Sequence, residues 1–318
     1  MPNKEPQISV ILPTFNRVSY IQRSIASVLN QTYQDWELIV WDDGSDDGTD
    51  DFCRSVGDER IRYYWHENRG VSFARNSAIS NSRGDYLAFL DSDDEWLPEK
   101  LTVQMEILSK YPNLDFLFGN FRNINLRTDK TTEAFDQLHD PLSKLKIKML
   151  EDNKFLIEDK FLECIAPENF IATDTVIMKR ELIQNLGGFN ESLRNGEDFE
   201  LWWRVGLAGS IIGYTEQILL NRYKPADSLS SQSHAALRSA IRALDICSEN
   251  ARRADREDLI KHLHPAYRNA WQNMISDCAK KNEKKGMMTA FRQSLKYGFR
   301  PGSLRLLVEG LLHAGGER

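Results

Sequence analysis

The chain has 318 residues, of which 41% are hydrophobic and 28% charged, and its net charge is −6. That length exceeds one typical domain and falls short of three, and the composition excludes a disordered chain and a disulfide-stapled miniprotein. A net negative balance gives no reason to expect nucleic acid as a partner.

Residues 8–12 (ISVIL) are a short apolar run closed by Pro13 and predict a buried strand. The polar turn Thr14-Phe15-Asn16-Arg17 follows, then Ile21, Ile25, Val28 and Leu29 at helical spacing. A second strand is predicted at 37–41, running into Asp42-Asp43-Gly44-Ser45, with a short helix over 47–56 and a third strand at 61–65. Residues 71–80 predict a helix and 86–90 (YLAFL) a fourth strand. After Pro98 come a helix to Tyr111 and a strand at 116–120. The polar, aperiodic stretch 125–141 reads as a long loop. A strand at 175–179 and a helix over 197–208 follow. Beyond Ser230 the strand signals stop, and several helices are expected, with Pro265 and Pro301 as punctuation.

Alternating strands and helices predict an α/β fold with a mostly parallel sheet and helices on both faces. Ligands of such sheets sit beyond the carboxyl ends of the strands. The polar clusters fall there: Thr14 to Arg17 after the first strand, Asp42-Asp43 after the second, Asp91-Ser92-Asp93-Asp94 after the fourth. Asp91 and Asp93 can converge on one hard cation and leave positions free for a diphosphate. The 43–54 loop begins like a calcium loop, but its twelfth position is Arg54 where a bidentate Glu is needed, so a turn presenting one carboxylate to a ligand fits better. Glu197-Asp198 opens a helix. A structural cap favoured by the helix dipole and a general base are both open there.

The ordered set carries a resemblance. Residues 8–17 (ISVILPTFNR), 27–33 (SVLNQTY) with 36–40 and Asp42-Asp43-Gly44-Ser45, 70–76 (GVSFARN), Asp91-Ser92-Asp93-Asp94 and 196–204 (GEDFELWWR) together resemble family 2 glycosyltransferases, inverting enzymes of GT-A fold that include bacterial surface-polysaccharide types. The similarity covers roughly residues 7–230. It implies a GT-A domain over 1–230 followed by a helical C-terminal region over 231–318. By the same resemblance Asp43 would bind the nucleotide base, with Pro13, Thr14, Asn16 and Arg17 beside it, and Arg75 would lie near the phosphates. Asp93 would be the main ligand of Mn2+ or Mg2+, with Asp91 nearby through water or ribose contacts. Asp198 would be the catalytic base, with Glu197 adjacent. The donor implied is a nucleotide sugar, a UDP-sugar first, and the acceptor a glycan or lipid-linked hydroxyl. Many relatives carry Tyr-Arg-x-His at the stretch that here reads Asn221-Arg222-Tyr223-Lys224, so a histidine ligand is not expected, and Lys224 is the residue that would put positive charge there.

Two rivals are weighed. A sugar nucleotidyltransferase needs a glycine-rich loop after the first strand, and Pro13 to Arg17 contains no glycine. A catalytically inactive nucleotide-sugar-binding module would bind without transfer, which the joint presence of Asp91, Asp93 and Asp198 argues against.

Residues 231–318 hold 16 Lys and Arg against 9 Asp and Glu, a net +7 that leaves −13 for residues 1–230. Apolar residues such as Trp271, Met288, Phe291 and Leu307 are interspersed. Peripheral docking on an anionic membrane surface and packing or assembly of helices are both open for this tail, as is the oligomeric state. Cys53, Cys164, Cys247 and Cys278 are scattered with no C-x-x-C pair, which suggests neither a zinc site nor a disulfide framework and makes a reducing cytoplasm the simplest compartment. The polar start MPNKEPQ lacks a signal-peptide core, and no run approaches the ~18 apolar residues of a membrane span.

Overall fold

The structure is a computed structural model that describes residues 5–137, 139–224 and 233–313. In chain order the elements are β1 (Ile8–Thr14), α1 (Val18–Leu29), β2 (Trp36–Asp42), α2 (Thr49–Ser55), β3 (Ile61–Trp65), α3 (Val71–Ser80), β4 (Tyr86–Phe89), β5 (Glu95–Trp96), α4 (Lys100–Lys110) and β6 (Phe116–Asn125). Next come β7 (Lys130–Glu133), α5 (Ala134–Gln137), α6 (His139–Ser143), β8 (Lys146–Glu151), β9 (Lys154–Asp159), α7 (Phe161–Ile165), β10 (Ile177–Lys179), α8 (Arg180–Asn185), α9 (Glu197–Leu207) and β11 (Ile212–Lys224). The C-terminal region consists of α10 (His234–Arg253), α11 (Ile260–Lys280), α12 (Lys284–Leu295) and α13 (Pro301–His313).

The chain divides into two compact units. The first takes the segments through Phe161, from Phe170 to Glu191 and from Ala208 to the end of β11; the second takes Leu162–Asn169, Ser192–Leu207 and the helices α10 to α13.

The first unit is a mixed sheet flanked by helices, in the order β3-β2-β1-β4-β10-β6-β11-β9-β8, with β5 added to β11 and β7 to β6. β3, β2, β1 and β4 are parallel neighbours, and β6 and β11 run parallel to each other. β10 enters antiparallel between β4 and β6, and β9 and β8 close the far edge as a hairpin. β1 is buried at every position, which is why it reads in sequence as an unbroken apolar run and not as an alternation. A charged group lies deep inside this sheet. Glu37 on β2 accepts from Ser9 Oγ at 2.7 Å, from the Arg83 backbone N–H at 2.7 Å and from Arg62 at 2.9 Å. Such a burial is tolerated because both carboxylate oxygens are bonded.

The stretch 125–141, expected to be a loop, is largely structured. β6 runs to Asn125, the chain reverses through Asp129 in the left-handed region (φ 56°), and β7 pairs back onto β6 before α5 and α6. β7 is mostly solvent-facing, so it shows none of the apolar alternation by which a half-buried strand is recognised. The β8–β9 hairpin was likewise silent, since β8 is largely exposed.

In the second unit α10 to α13 form the expected helical region. Ser233 caps α10 by accepting from the Ala236 N–H at 3.1 Å. Pro301 sits at the first position of α13, where a missing N–H costs nothing. Pro265 lies inside α11 and does not end it.

Candidate active site

β1 and β2 end side by side, with Thr14 paired to Asp42, and β3 reaches the same level with Trp65 opposite Asp42. The polar turns that follow them therefore emerge at one edge of the sheet. They are sewn to each other. Asn16 adopts φ 50°, a conformation asparagine tolerates better than most residues. Its N–H donates to Ser45 Oγ at 2.8 Å, and its Oδ1 accepts from the Asp46 N–H at 2.9 Å. Asp47 accepts from the Val18 N–H at 2.9 Å and also from Thr49. Pro13 and Thr14 are buried, whereas Arg17 stands exposed.

The two adjacent aspartates at the end of β2 are both tied into the fold by hydrogen bonds. Asp42 accepts from the Ser45 N–H at 2.8 Å and from Tyr63 OH at 2.7 Å. Asp43 is buried, and its two oxygens accept the N–H groups of Arg69 and Gly70 at 2.8 and 2.7 Å, which fixes the turn into α3. Gly44 between these turns has φ 93°, and a Cβ there would lie 2.9 Å from the Asn68 nitrogen, so no other residue fits.

The third turn, after β4, is a concentration of carboxylates. Asp91 accepts from Arg75 Nη2 at 2.7 Å; Arg75 is only 4% exposed and lies over the Phe189 ring at 5.1 Å. The Asp91 N–H donates to Asp174 Oδ1 at 2.5 Å. Arg23 binds the Asp93 carbonyl at 2.6 Å, and Ser24 binds that of Asp94 at 2.7 Å. Asp94 accepts from the Tyr223 N–H at 2.9 Å, with Arg222 at 3.9 Å. Burial, and then the charge on Asp91, push the Asp93 carboxyl above the ordinary range against the pull of Arg17. Burial and Asp174 raise Asp94 well above it, and burial with Asp91 raises Asp174 to about 7. Asp94 and Asp174 are enclosed, whereas Asp91 and Asp93 are partly exposed. Asp91 and Asp93 are the two carboxylates of this turn open to a hard divalent cation, whose charge would relieve the repulsion between them.

Asp174 and Lys100 escaped the sequence reading. Asp174 lies 83 residues from Asp91 in a short 3-10 turn, and no spacing rule links them. Lys100 is fully enclosed, donates to Gln104 Oε1 at 2.7 Å and sits 4.0 Å from the centre of the Trp96 ring; burial lowers it to about 7 against the pull of Asp174.

Glu197 and Asp198 occupy the first turn of α9 in the second unit, after Gly196 at φ 81°. Asp198 Oδ1 accepts the Phe199 N–H at 2.7 Å and Oδ2 accepts from Asn169 Nδ2 at 3.1 Å. The helix is anchored behind them: Trp203 Nε1 donates to the Cys247 carbonyl at 2.9 Å, and Ser239 Oγ accepts the N–H groups of Arg194 and Asn195 at 2.9 and 3.0 Å. The structure thus gathers Pro13, Thr14, Asn16, Arg17, Asp43, Arg75, Asp91 and Asp93 on one edge of the first unit, with Glu197 and Asp198 on the second. The match to Tyr-Arg-x-His continues into residues 225–230, which lie outside the described residues, as does the Lys224 side chain. In the second unit His234, Cys278 and Glu283 form a candidate metal-coordinating cluster, their ligand atoms within 4.8 Å of one another. His234 and Cys278 are too far apart in sequence for any cysteine spacing to announce this.

The sequence profile described as Glycosyl transferase family 2 matches residues 9–166. An uncharacterized glycosyltransferase of Rickettsia felis is 31% identical over 218 residues, covering 68% of this chain and 34% of the relative. This chain thus spans about a third of that relative's length. The UDP-Glc:alpha-D-GlcNAc-diphosphoundecaprenol beta-1,3-glucosyltransferase WfgD of Escherichia coli is 42% identical over 119 residues, 37% of this chain and 47% of the relative. Among solved structures, S. aureus TarS 1-349 in complex with UDP-GlcNAc superposes with a TM-score of 0.69 over 97% of this chain and 90% of that one; at 15% identity the likeness is one of fold.

Proposed function

We propose that this chain, which belongs to glycosyl transferase family 2, moves a sugar from a UDP-sugar to a glycan or lipid-linked acceptor hydroxyl with inversion at the anomeric carbon. The observation that carries the reading is the grouping of Asp91, Asp93 and the buried Arg75 with the turns that end β1 and β2. The naming of UDP-Glc in the E. coli relative and the UDP-GlcNAc bound to TarS support the choice of nucleotide.

In this reading Asp91 and Asp93 would hold Mn2+ or Mg2+. Once bound, the cation supplies positive charge against the diphosphate. Arg75 holds Asp91 in place through its 2.7 Å ion pair. Asn16 and Asp43 shape the nucleotide turn, Asn16 through Ser45 and Asp46, Asp43 through Arg69 and Gly70. Thr14, Pro13 and Arg17 line its other side. Asp198 accepts the proton of the acceptor hydroxyl, and its Oδ2 is oriented for that by Asn169. The glycine-free turn after β1 keeps a nucleotidyltransferase disfavoured.

Incubation of the full chain with UDP-, GDP- and dTDP-sugars and Mn2+ or Mg2+ tests the proposal. The expected result is release of UDP from a UDP-sugar, stopped by excess chelator. Nucleotide binding without release under all conditions would identify an inactive binding module instead.

The helical region is proposed to dock on an anionic bilayer. No helix among the described residues is long and apolar enough to cross a membrane. Met288, Leu295, Leu304 and Val308 are nevertheless exposed on α12 and α13, and Phe299, 59% exposed, stands in the connection between them; the same stretch carries Lys284, Lys285, Arg292, Lys296 and Arg305. Exposed apolar side chains amid basic ones are the composition of an interfacial helix. The full chain is expected to float with phosphatidylglycerol vesicles at low salt, less so as ionic strength rises, and Phe299→Asp with Val308→Asp should abolish flotation. Indifference to those vesicles at low salt would leave this surface as an assembly face.

A further inference from the structure

The first unit contains a concavity of about 860 Å³, lined by elements from β6 to β11. That volume lies in the range of small-molecule sites. Its construction is specific. β11 and β6 run in register to Thr215 opposite Gly119, then resume with Ile218 opposite Asn120. Glu216 and Gln217 are therefore left out of the ladder as a bulge, and both line the cavity. Bulges of this kind redirect side chains and are enriched beside active sites.

Two buried polar groups face this space with hydrogen-bonding capacity unspent. Asn120, 5% exposed, accepts the N–H groups of Phe121 and Phe135 through Oδ1, while its amide nitrogen has no partner among the described residues. Tyr214, 3% exposed, is stacked between Phe118 and Phe155, and its hydroxyl has no partner among the described residues. Burial, reinforced by Glu216, pushes the Tyr214 phenol up to about 12, so it remains an O–H donor. Neither atom is sealed away without a partner, so both stand open at the cavity wall as donors to a ligand that accepts from them.

The remaining lining sets the ligand's class. Glu133, Asp136 and Glu216 contribute carboxylates, and no lysine or arginine is among the described lining residues. An anionic ligand, whether phosphate, nucleotide or lipid diphosphate, would meet repulsion there. Hydroxyl-rich neutral ligands meet the opposite: carboxylates accept from vicinal hydroxyls, Asn120 and Tyr214 donate to ring or linkage oxygens, and the Phe135 ring offers an apolar surface to a sugar's C–H face. The bulged strand is also tied to the carboxylate cluster, because Leu220 on β11, three residues past Gln217, pairs with Trp96 of β5, which follows Asp93-Asp94 directly. We propose that this cavity is a saccharide subsite that holds a neutral sugar unit of the acceptor glycan, an inference that rests on the glycosyl-transfer reading above.

Binding is measured on the full chain by saturation-transfer NMR with cellobiose, lactose and chitobiose, free of any donor. At least one is expected to bind in the millimolar range. Glu216→Gln and Tyr214→Phe, both near-isosteric, should each weaken that binding by about fivefold or more, with UDP affinity and acceptor-independent UDP-sugar hydrolysis unchanged. Absence of binding by all three disaccharides, or binding that ignores both variants, overturns the subsite. Loss of the glycosyl-transfer reading would show separately, as absence of UDP-sugar hydrolysis in the unmodified chain.

Discussion

Asp198→Asn is expected to lower sugar transfer by at least about a hundredfold while UDP affinity and thermal stability stay near those of the unmodified chain. The substitution keeps the shape of the side chain. The amide that replaces the carboxylate can still offer an oxygen to the Phe199 N–H or to Asn169, both of which bond to Asp198 now. What it cannot do is take up a proton. A general base contributes roughly two to four orders of magnitude when positioned at the reacting hydroxyl, so kcat should fall with little change in donor KM. Pre-steady-state transfer with a saturating acceptor is the measurement. Normal kcat with weakened donor binding would move Asp198 into the donor pocket, and a larger loss in Glu197→Gln would move the base by one residue.

The second large effect concerns Asp93→Asn. Donor hydrolysis should fall by at least about a hundredfold and lose its response to Mn2+, because a reachable carboxylate of the proposed cation site is replaced by a neutral amide. Stability should move the other way. Asp93 is held above the ordinary carboxyl range by burial and by Asp91, which means its charge is a strain on the cation-free fold. Neutralising it should leave the melting temperature in chelator equal to or above that of the unmodified chain, the familiar opposition of function and stability. Calorimetry in EDTA and a hydrolysis assay with Mn2+ read the two effects side by side. Undiminished hydrolysis in the variant would remove the cation from the reaction.

Much of the first unit was legible because β1, β2 and β4 are buried nearly throughout. β1, β2, β3 and β4 were placed nearly to their ends by apolar runs followed by polar turns, and the same turns proved to share one sheet edge. Helix α9 was legible from the spacing of Leu201, Trp202 and Val205. The exposed edge was not legible, since β7 and β8 have no buried face to imprint on the sequence. Nor was β11, a 13-residue strand whose middle is broken by the bulge that aims Glu216 and Gln217. Partners separated by long stretches were equally hidden. Asp174 meets the Asp91 backbone, and Cys278 meets His234, through three-dimensional closure alone. The committed state of Asp42 and Asp43 also exceeds what a motif conveys: the motif marks the turn, but only the fold shows four hydrogen bonds drawing on their side chains.

The fastening of α9 to α10 has a consequence for how the chain is made. Trp203 finds its acceptor in the Cys247 carbonyl, 44 residues later, and Glu200 is bonded by Asn250, 50 residues later. Chains are synthesised at roughly 5–20 residues per second, so α9 waits on the order of seconds on the ribosome before its anchor exists. During that interval the helix start that bears Asp198 lacks the support that fixes it, while the carboxylate cluster, whose last members Arg222 and Tyr223 lie about twenty residues further on, closes before that anchor is complete. The order of translation therefore makes the proposed donor-side machinery the earlier product and the proposed base the later one.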